Sequence, residues 1–353
     1  MPGLAHPASR RARGRPDSMR TLRVGSVLRR VTAIVGVLLA LAVLGAGYEH
    51  ASEMSDTARY PAPGQLVDIG GHRLHLLCVG QGTPTVVLEA AHGGTVAHWV
   101  RVQQAVADAA QATVCAYDRA GAGWSDPGPD PRDARHLAAE LDALLVAAGL
   151  ARPLVLVAHS YGGLVARVYA AEHPRDLQGM VLLEGLPPDF WARQGLPEST
   201  ANGVPLPVEG AGLVARLGLL RLSGFPPADA ALPERQYAEV RALQATPKFG
   251  DLLAGTERGF KASLAQARGV DSLGVVPLLV VVGGASEASD PVAYELQAEQ
   301  TRLSTLGTLV VVPEATHNGL LTSIDDAATT ARLVSDFVAA TRTVPASTTP
   351  AAP

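Results

Sequence analysis

The stretch "VLVAHSYGGLVARVYA", residues 155–170, carries an unbroken apolar run into His159 and Ser160, then two glycines, then a helical pattern. A short, uniformly apolar run is the signature of a strand buried on both faces. When such a strand turns abruptly into a helix, the residue at the turn is thrown out above the carboxyl edge of the sheet, in strained backbone with neighbours too close for large side chains. Ala158 and Gly162, two before and two after Ser160, are the small residues this turn requires, and A-x-S-x-G is a looser form of G-x-S-x-G. The following helix aims its first N–H groups at Ser160, so negative charge developing there is favoured. An ordinary tight strand–helix turn gives the same local pattern, so the assignment needs the rest of the chain.

Outward from this point the apolar runs fall in a regular order. "QLVDIGG" and "HRLHLLCVG" read as a hairpin pair around Gly70-Gly71; "TVVLEA", "TVCAYD", "PLVLVAHS", "GMVLLEG", "PLLVVVGG" and "TLVVVPEA" follow. Amphipathic helical patterns such as "DARHLAAELDALLVAAGL" separate the later runs. Buried strands alternating with helices predict an α/β domain: a mainly parallel eight-stranded sheet with helices on both faces. Gly185 to about residue 275 is too long for a simple crossover and contains helical stretches, "GLVARLGLLRL" and "PERQYAEVRALQ", among prolines. It reads as a helical cap inserted after the sixth strand, excluding water from Ser160. Its Leu, Ala, Val and Pro content points to an apolar acyl or alkyl group, or to plain packing of the cap on the core.

The chain ends qualify where this domain works. The formal charge is -4, but residues 1–30 hold eight arginines and one acid, +7, leaving -4 - 7 = -11 for the rest. An acidic body argues against a nucleic-acid partner. "VTAIVGVLLALAVLGAGY", residues 31–48, has no charge behind Arg29 and Arg30. As a helix it rises about 27 Å against a hydrocarbon core of about 30 Å, and the basic flank keeps residues 1–30 in the cytoplasm. The expected placement is a single-pass membrane anchor with an extracytoplasmic body; a signal peptide cut near "LGAG" and a secreted body is the alternative. Residues 49–64 read as a polar, Pro/Gly-rich linker and 343–353 as a disordered tail.

Three more segments bear on chemistry. His317 lies in "PEATHNGLL", directly after the last predicted strand, where a loop can return it to the edge that carries Ser160. A serine hydroxyl is a poor nucleophile until a base takes its proton, and imidazole titrates in the right range. "LEAAHGGTVAHW" is a small, glycine-containing loop where a backbone N–H can approach a carbonyl oxygen. With "YDRAGAGWSDPGP", residues 117–129, and "YPAPGQLVDIGGHRLHLLCVGQGTPTVVLEA", these motifs make residues 60–340 resemble the α/β-hydrolase superfamily, specifically bacterial serine hydrolases with an N-terminal hydrophobic segment.

The resemblance implies Ser160 as nucleophile, His317 as base, and backbone N–H donors to an oxyanion from Tyr161 and from His92, the residue after Ala90-Ala91. The usual His-Gly pair before that donor is replaced here by Ala90-Ala91, which leaves the donor open by one residue. The acid follows one of two strands: Glu184, at the end of "GMVLLEG", is preferred, with Glu287 and Asp290 in "ASEASDP" as alternatives. The implied activity is hydrolysis of an ester or related acyl bond through an acyl-enzyme, as in a carboxylesterase or lipase. Thioesterase, peptidase and a non-catalytic membrane-anchored binding protein stay open. Epoxide hydrolysis or dehalogenation on this fold would need a carboxylate at position 160. No metal-ligand spacing and no cofactor motif is present, and the oligomeric state is not legible. Finally, the family's sheet sets the second strand antiparallel beside the fourth, which brings Cys78 near Cys115: either a disulfide or two small buried thiols.

Overall fold

The computed structural model describes residues 18–198, 208–225 and 229–343, with residues 18–26 and Glu287 as backbone only. A long N-terminal helix, α1 (Ser18–Arg59), precedes the hairpin β1 (Gln65–Asp68) and β2 (Arg73–Val79). There follow β3 (Thr85–Glu89), α2 (Gln103–Ala110), β4 (Thr113–Asp118), α3 (Ala134–Ala147), β5 (Leu154–His159), α4 (Gly162–Glu172) and β6 (Leu177–Leu183). The cap helices are α5 (Phe190–Gln194), α6 (Ala211–Arg216), α7 (Leu219–Ser223), α8 (Glu234–Gln244) and α9 (Pro247–Arg268). The chain closes with β7 (Leu278–Gly283), α10 (Gly284–Ser289), α11 (Pro291–Gln300), β8 (Gly307–Val312), α12 (Gly319–Thr322) and α13 (Ile324–Thr341).

The sheet order is β1-β2-β4-β3-β5-β6-β7-β8, with β2 antiparallel to both neighbours and every later pairing parallel. This is the expected α/β-hydrolase topology. Alternation along β5 explains its unbroken apolarity. Leu154, Leu156 and Ala158 enter the core under α3 and α4, while Val155 and Val157 enter the opposite core with Val106 of α2 and Val334 and Val338 of α13. The order reverses beside β5, so Ser160 emerges at the crevice where such sheets place ligands.

Two segments differ from expectation. Residues 49–64 are not a linker: α1 continues to Arg59, because Ala42, Gly45, Glu49, Ser52 and Asp56 form a helical stripe that packs on the cap. "GLVARLGLLRL" is two helices, α6 and α7, broken at Gly218, whose φ of +70° suits glycine. The basic residues 1–17 and the tail beyond residue 343 lie outside the described residues.

Cys78 and Cys115 face each other in the β2–β4 register and are bonded, with Cα atoms 4.0 Å apart. The alternative of two free thiols is thereby set aside. A bridge spanning 37 residues restricts the unfolded chain, so reduction, or Cys78→Ala with Cys115→Ala, should cost about 2–4 kcal/mol of stability. Denaturant unfolding with and without reductant measures it, and an unchanged midpoint would contradict the estimate.

Candidate active site

Ser160 has φ +55°, a left-handed value that costs a non-glycine residue about 1–3 kcal/mol and persists only when its surroundings over-determine it. They do. Its N–H donates to the Leu183 carbonyl at 3.2 Å, and its own carbonyl accepts from Gly163 N–H at 2.8 Å and Leu186 N–H at 2.7 Å. Small residues are needed by contact: a Cβ on Gly162 would stand 2.7 Å from the Ala90 carbonyl oxygen, and one on Gly163 would stand 2.8 Å from Gly185 Cα.

His317 and Glu184 are brought together. His317 Nδ1–H donates to Glu184 Oε2 at 2.5 Å, and the other carboxylate oxygen accepts from Gly283 N–H at 2.7 Å. Glu184 also adopts a left-handed backbone, φ +42°, at the end of β6. Its side chain is 6% exposed and that of His317 44%, so the carboxylate is shielded while the imidazole faces open space. Burial pushes the Glu184 carboxyl up, but the His317 hydrogen bond and charge, then the Gly283 N–H and the Ser286 contact, outweigh it and hold the group below its ordinary range. It therefore stays anionic wherever an imidazole titrates.

Sequence reasoning missed His159, the residue before Ser160. Its Nε2–H donates to the His317 carbonyl at 3.0 Å, and the two rings lie 4.6 Å apart. Burial above all, then the nearby His317 charge, pushes the His159 imidazole well down, so it remains a neutral donor that holds the His317 loop against the end of β5. The signal was present as "HS" in the opening motif, but only the fold shows what it reaches.

The "YDRAGAGWSDPGP" motif also acquires a role. Arg119 pairs with buried Glu89, and its guanidinium donates to the Ala90 carbonyl and, at 2.9 Å, to the Ala91 carbonyl. In a trans peptide the N–H points opposite the C=O, so the clamp turns the N–H of His92 away from Arg119. Neither His92 N–H nor Tyr161 N–H has an acceptor among the described residues. The Tyr161 ring is locked by the Ser263 hydroxyl at 3.0 Å and by Phe260, both on α9, which ties the cap to the start of α4. Neighbouring Asp118 is structural: fully buried, it accepts from His75 Nδ1 and Val96 N–H, both at 2.8 Å.

The alternative acids sit elsewhere. Asp290 caps α11, accepting from Ala293 N–H at 3.0 Å and from Gln194 Nε2 at 2.5 Å, and the "ASEASDP" segment is mostly helix α10 rather than a loop. The Glu287 side chain lies outside the described residues. A cavity of about 180 Å³ opens between the His92 loop and the His317 loop. Its wall includes His92, His98, Asp229, Gln244 and Thr322 as well as Trp99 and Leu321, so it is more polar than the cap composition led us to expect. His92 Nε2 is buried there without a partner among the described residues, and burial, with the Arg119 charge, pushes its imidazole down to about 4. Apart from the site, Asp142, His173 and Asp176 converge, but Arg152 bridges both carboxylates and makes the cluster a charge network.

Residues 84–323 match the family described as alpha/beta hydrolase fold, and the chain belongs to it. YqjL of Bacillus subtilis (strain 168), an uncharacterized protein, is 34% identical over 105 residues, covering 30% of this chain and 41% of YqjL. The chain spans about half or less of the length of the curated relatives it matches. Among solved structures, the enol-lactonase from Burkholderia xenovorans LB400 superposes with TM-score 0.57 at 22% identity, over 78% of this chain and 100% of that one. The Cif epoxide hydrolase from Acinetobacter nosocomialis gives TM-score 0.63 at 18% identity, over 83% and 96%. These likenesses speak for the fold. The N-terminal helix is, from Val27 on, long and apolar enough, with mean hydropathy 2.2, to cross a membrane or serve as a signal.

Proposed function

We propose that this chain is a serine hydrolase that cleaves an ester or related acyl bond, with Ser160 as nucleophile, His317 as base and Glu184 as the orienting acid. The observation that carries the reading is the Glu184–His317 contact, with Glu184 following β6 and Ser160, on left-handed strand–helix backbone, following the adjacent strand β5. Glu184 fixes the tautomer with the proton on Nδ1, which leaves Nε2 free to accept the Ser160 proton as Oγ bonds to the carbonyl carbon. The electron pair of the carbonyl moves to oxygen, which takes hydrogen bonds from His92 and Tyr161 N–H. As the tetrahedral centre collapses, His317 gives its proton to the leaving group, and water, activated by the same imidazole, then releases the acid and restores Ser160.

A substrate carrying a polar group is favoured by His92 Nε2, which is buried without a partner among the described residues on the residue that offers one of the two donor N–H groups. A panel of short-chain p-nitrophenyl esters, a thioester and an anilide tests the bond class. Turnover of esters at least as fast as the others is expected, and a preference for the anilide would replace esterase by peptidase. For the N-terminal helix we favour an uncleaved anchor with the body extracytoplasmic, over a secreted body. Two features support it: the basic flank, and a disulfide that suits an oxidising compartment.

A further inference from the structure

The docked half of α1 sets the position of the cap relative to the apolar half. Residues 27–41 of α1 are exposed throughout, whereas the stripe from Ala42 to Asp56 rests on the cap. The contact is closest at the α6–α7 turn: a Cβ on Gly45 would stand 2.4 Å from the Leu217 carbonyl oxygen, and one on Gly218 would stand 2.8 Å from Tyr48 Cδ1. Below it, Arg221 of α7 binds Glu49 at 3.0 Å and Asp56 at 2.6 Å.

The register of the apolar segment converts this contact into a depth. Counting from Arg30, a hydrocarbon core of about 30 Å takes about 20 residues and ends near position 50. Gly45 then lies about five residues, or about 7.5 Å, inside that boundary, and the α6–α7 turn packed on it reaches a comparable level. Interfacial helices bury their apolar faces by about 5–10 Å, so this is the level of an interfacial segment. The side chains around the turn match such a place. Leu213, Leu219 and Leu222 are 62%, 48% and 66% exposed and cluster here; of the other described cap leucines only Leu196, at 50% and next to α5, is comparably exposed. Glu49, the first acid after the apolar run, is 2% exposed and neutralised by Arg221, and Arg216 pairs with Asp251 at 2.6 Å. The acids at this level are paired, Glu49 in a buried bridge and Asp251 in a half-exposed one, while the leucines are left uncovered.

We propose that the α6–α7 turn, with Leu213, Leu219 and Leu222, seats in the headgroup–acyl boundary of the leaflet from which the catalytic domain emerges, so that the bilayer supports the cap. This rests on the reading of α1 as an uncleaved anchor, and the experiment separates the two. The native cysteines are bridged, so a single introduced thiol can carry a nitroxide in the full chain reconstituted into phosphatidylcholine–phosphatidylglycerol vesicles. Leu219→Cys and Leu222→Cys report on the turn, Leu38→Cys on the anchor, and Val146→Cys, 65% exposed on α3, on a surface facing water. The ratio of relaxation by membrane-soluble oxygen to relaxation by a water-soluble nickel chelate is expected to be several-fold higher at 219 and 222 than at 146, and highest at 38. Equal values at 219, 222 and 146 with a high value at 38 would overturn the seating and leave the anchor. A value at 38 as low as at 146 would overturn both.

Discussion

Ser160→Ala and His317→Ala each lower kcat/KM for a short-chain ester by about 10⁴-fold or more, with the folded state retained. The two groups act as one unit, so the double variant loses little beyond either single one. Folding should survive for a physical reason. Alanine at position 160 keeps the backbone bonds to Leu183, Gly163 and Leu186, and His317 is held by its carbonyl through His159 rather than by its ring alone. Steady-state kinetics with circular dichroism on the same samples checks this. Activity within tenfold of the unaltered protein for either variant would remove the nucleophile–base assignment.

The second large effect belongs to Glu184. Glutamine is nearly isosteric and keeps an oxygen for Gly283 N–H, but it turns an amide N–H toward His317 Nδ1. The imidazole must then accept there and carry its proton on Nε2, the wrong tautomer for a base, and a loss of about 10³–10⁴-fold in kcat follows. KM should change little, because Glu184 is shielded from the site by His317. Asp290→Asn is the paired control: asparagine caps a helix as well as aspartate does, so kcat should stay within about threefold. If Asp290→Asn proved the damaging change and Glu184→Gln the silent one, the acid would have to be reassigned.

The fold was legible in the sequence because its strands are short, apolar and bounded by turn residues, and because the small residues around Ser160 leave few backbones open to that segment. The candidate residues were legible one at a time, by their positions after strands. Their mutual geometry was not. That Glu184 and His317 lie 2.5 Å apart depends on the β6–β7 and β7–β8 registers and on the left-handed backbone of Glu184, none of which alternation of apolar residues encodes. The Arg119 clamp and the His159 hold on His317 were hidden for a related reason: each joins side chains to carbonyls about 30 and 158 residues away. The reading of residues 49–64 as a linker failed because a polar stripe seen alone resembles a solvated one. Its partners, Leu217 and Arg221, lie in the cap, more than 160 residues on.

The central claim is that Ser160 is an activated nucleophile, and a fluorophosphonate probe tests it most directly. Attack by an activated serine leaves a covalent phosphonyl adduct, whereas an ordinary surface or turn serine does not react. After incubation of the full chain and proteolysis, mass spectrometry should find one adduct per chain, on Ser160 in the peptide spanning 155–170. The adduct should be absent from Ser160→Ala and strongly slowed in His317→Ala. No adduct in folded protein, or an adduct on a different serine, would contradict the account and leave a hydrolase fold whose role is binding.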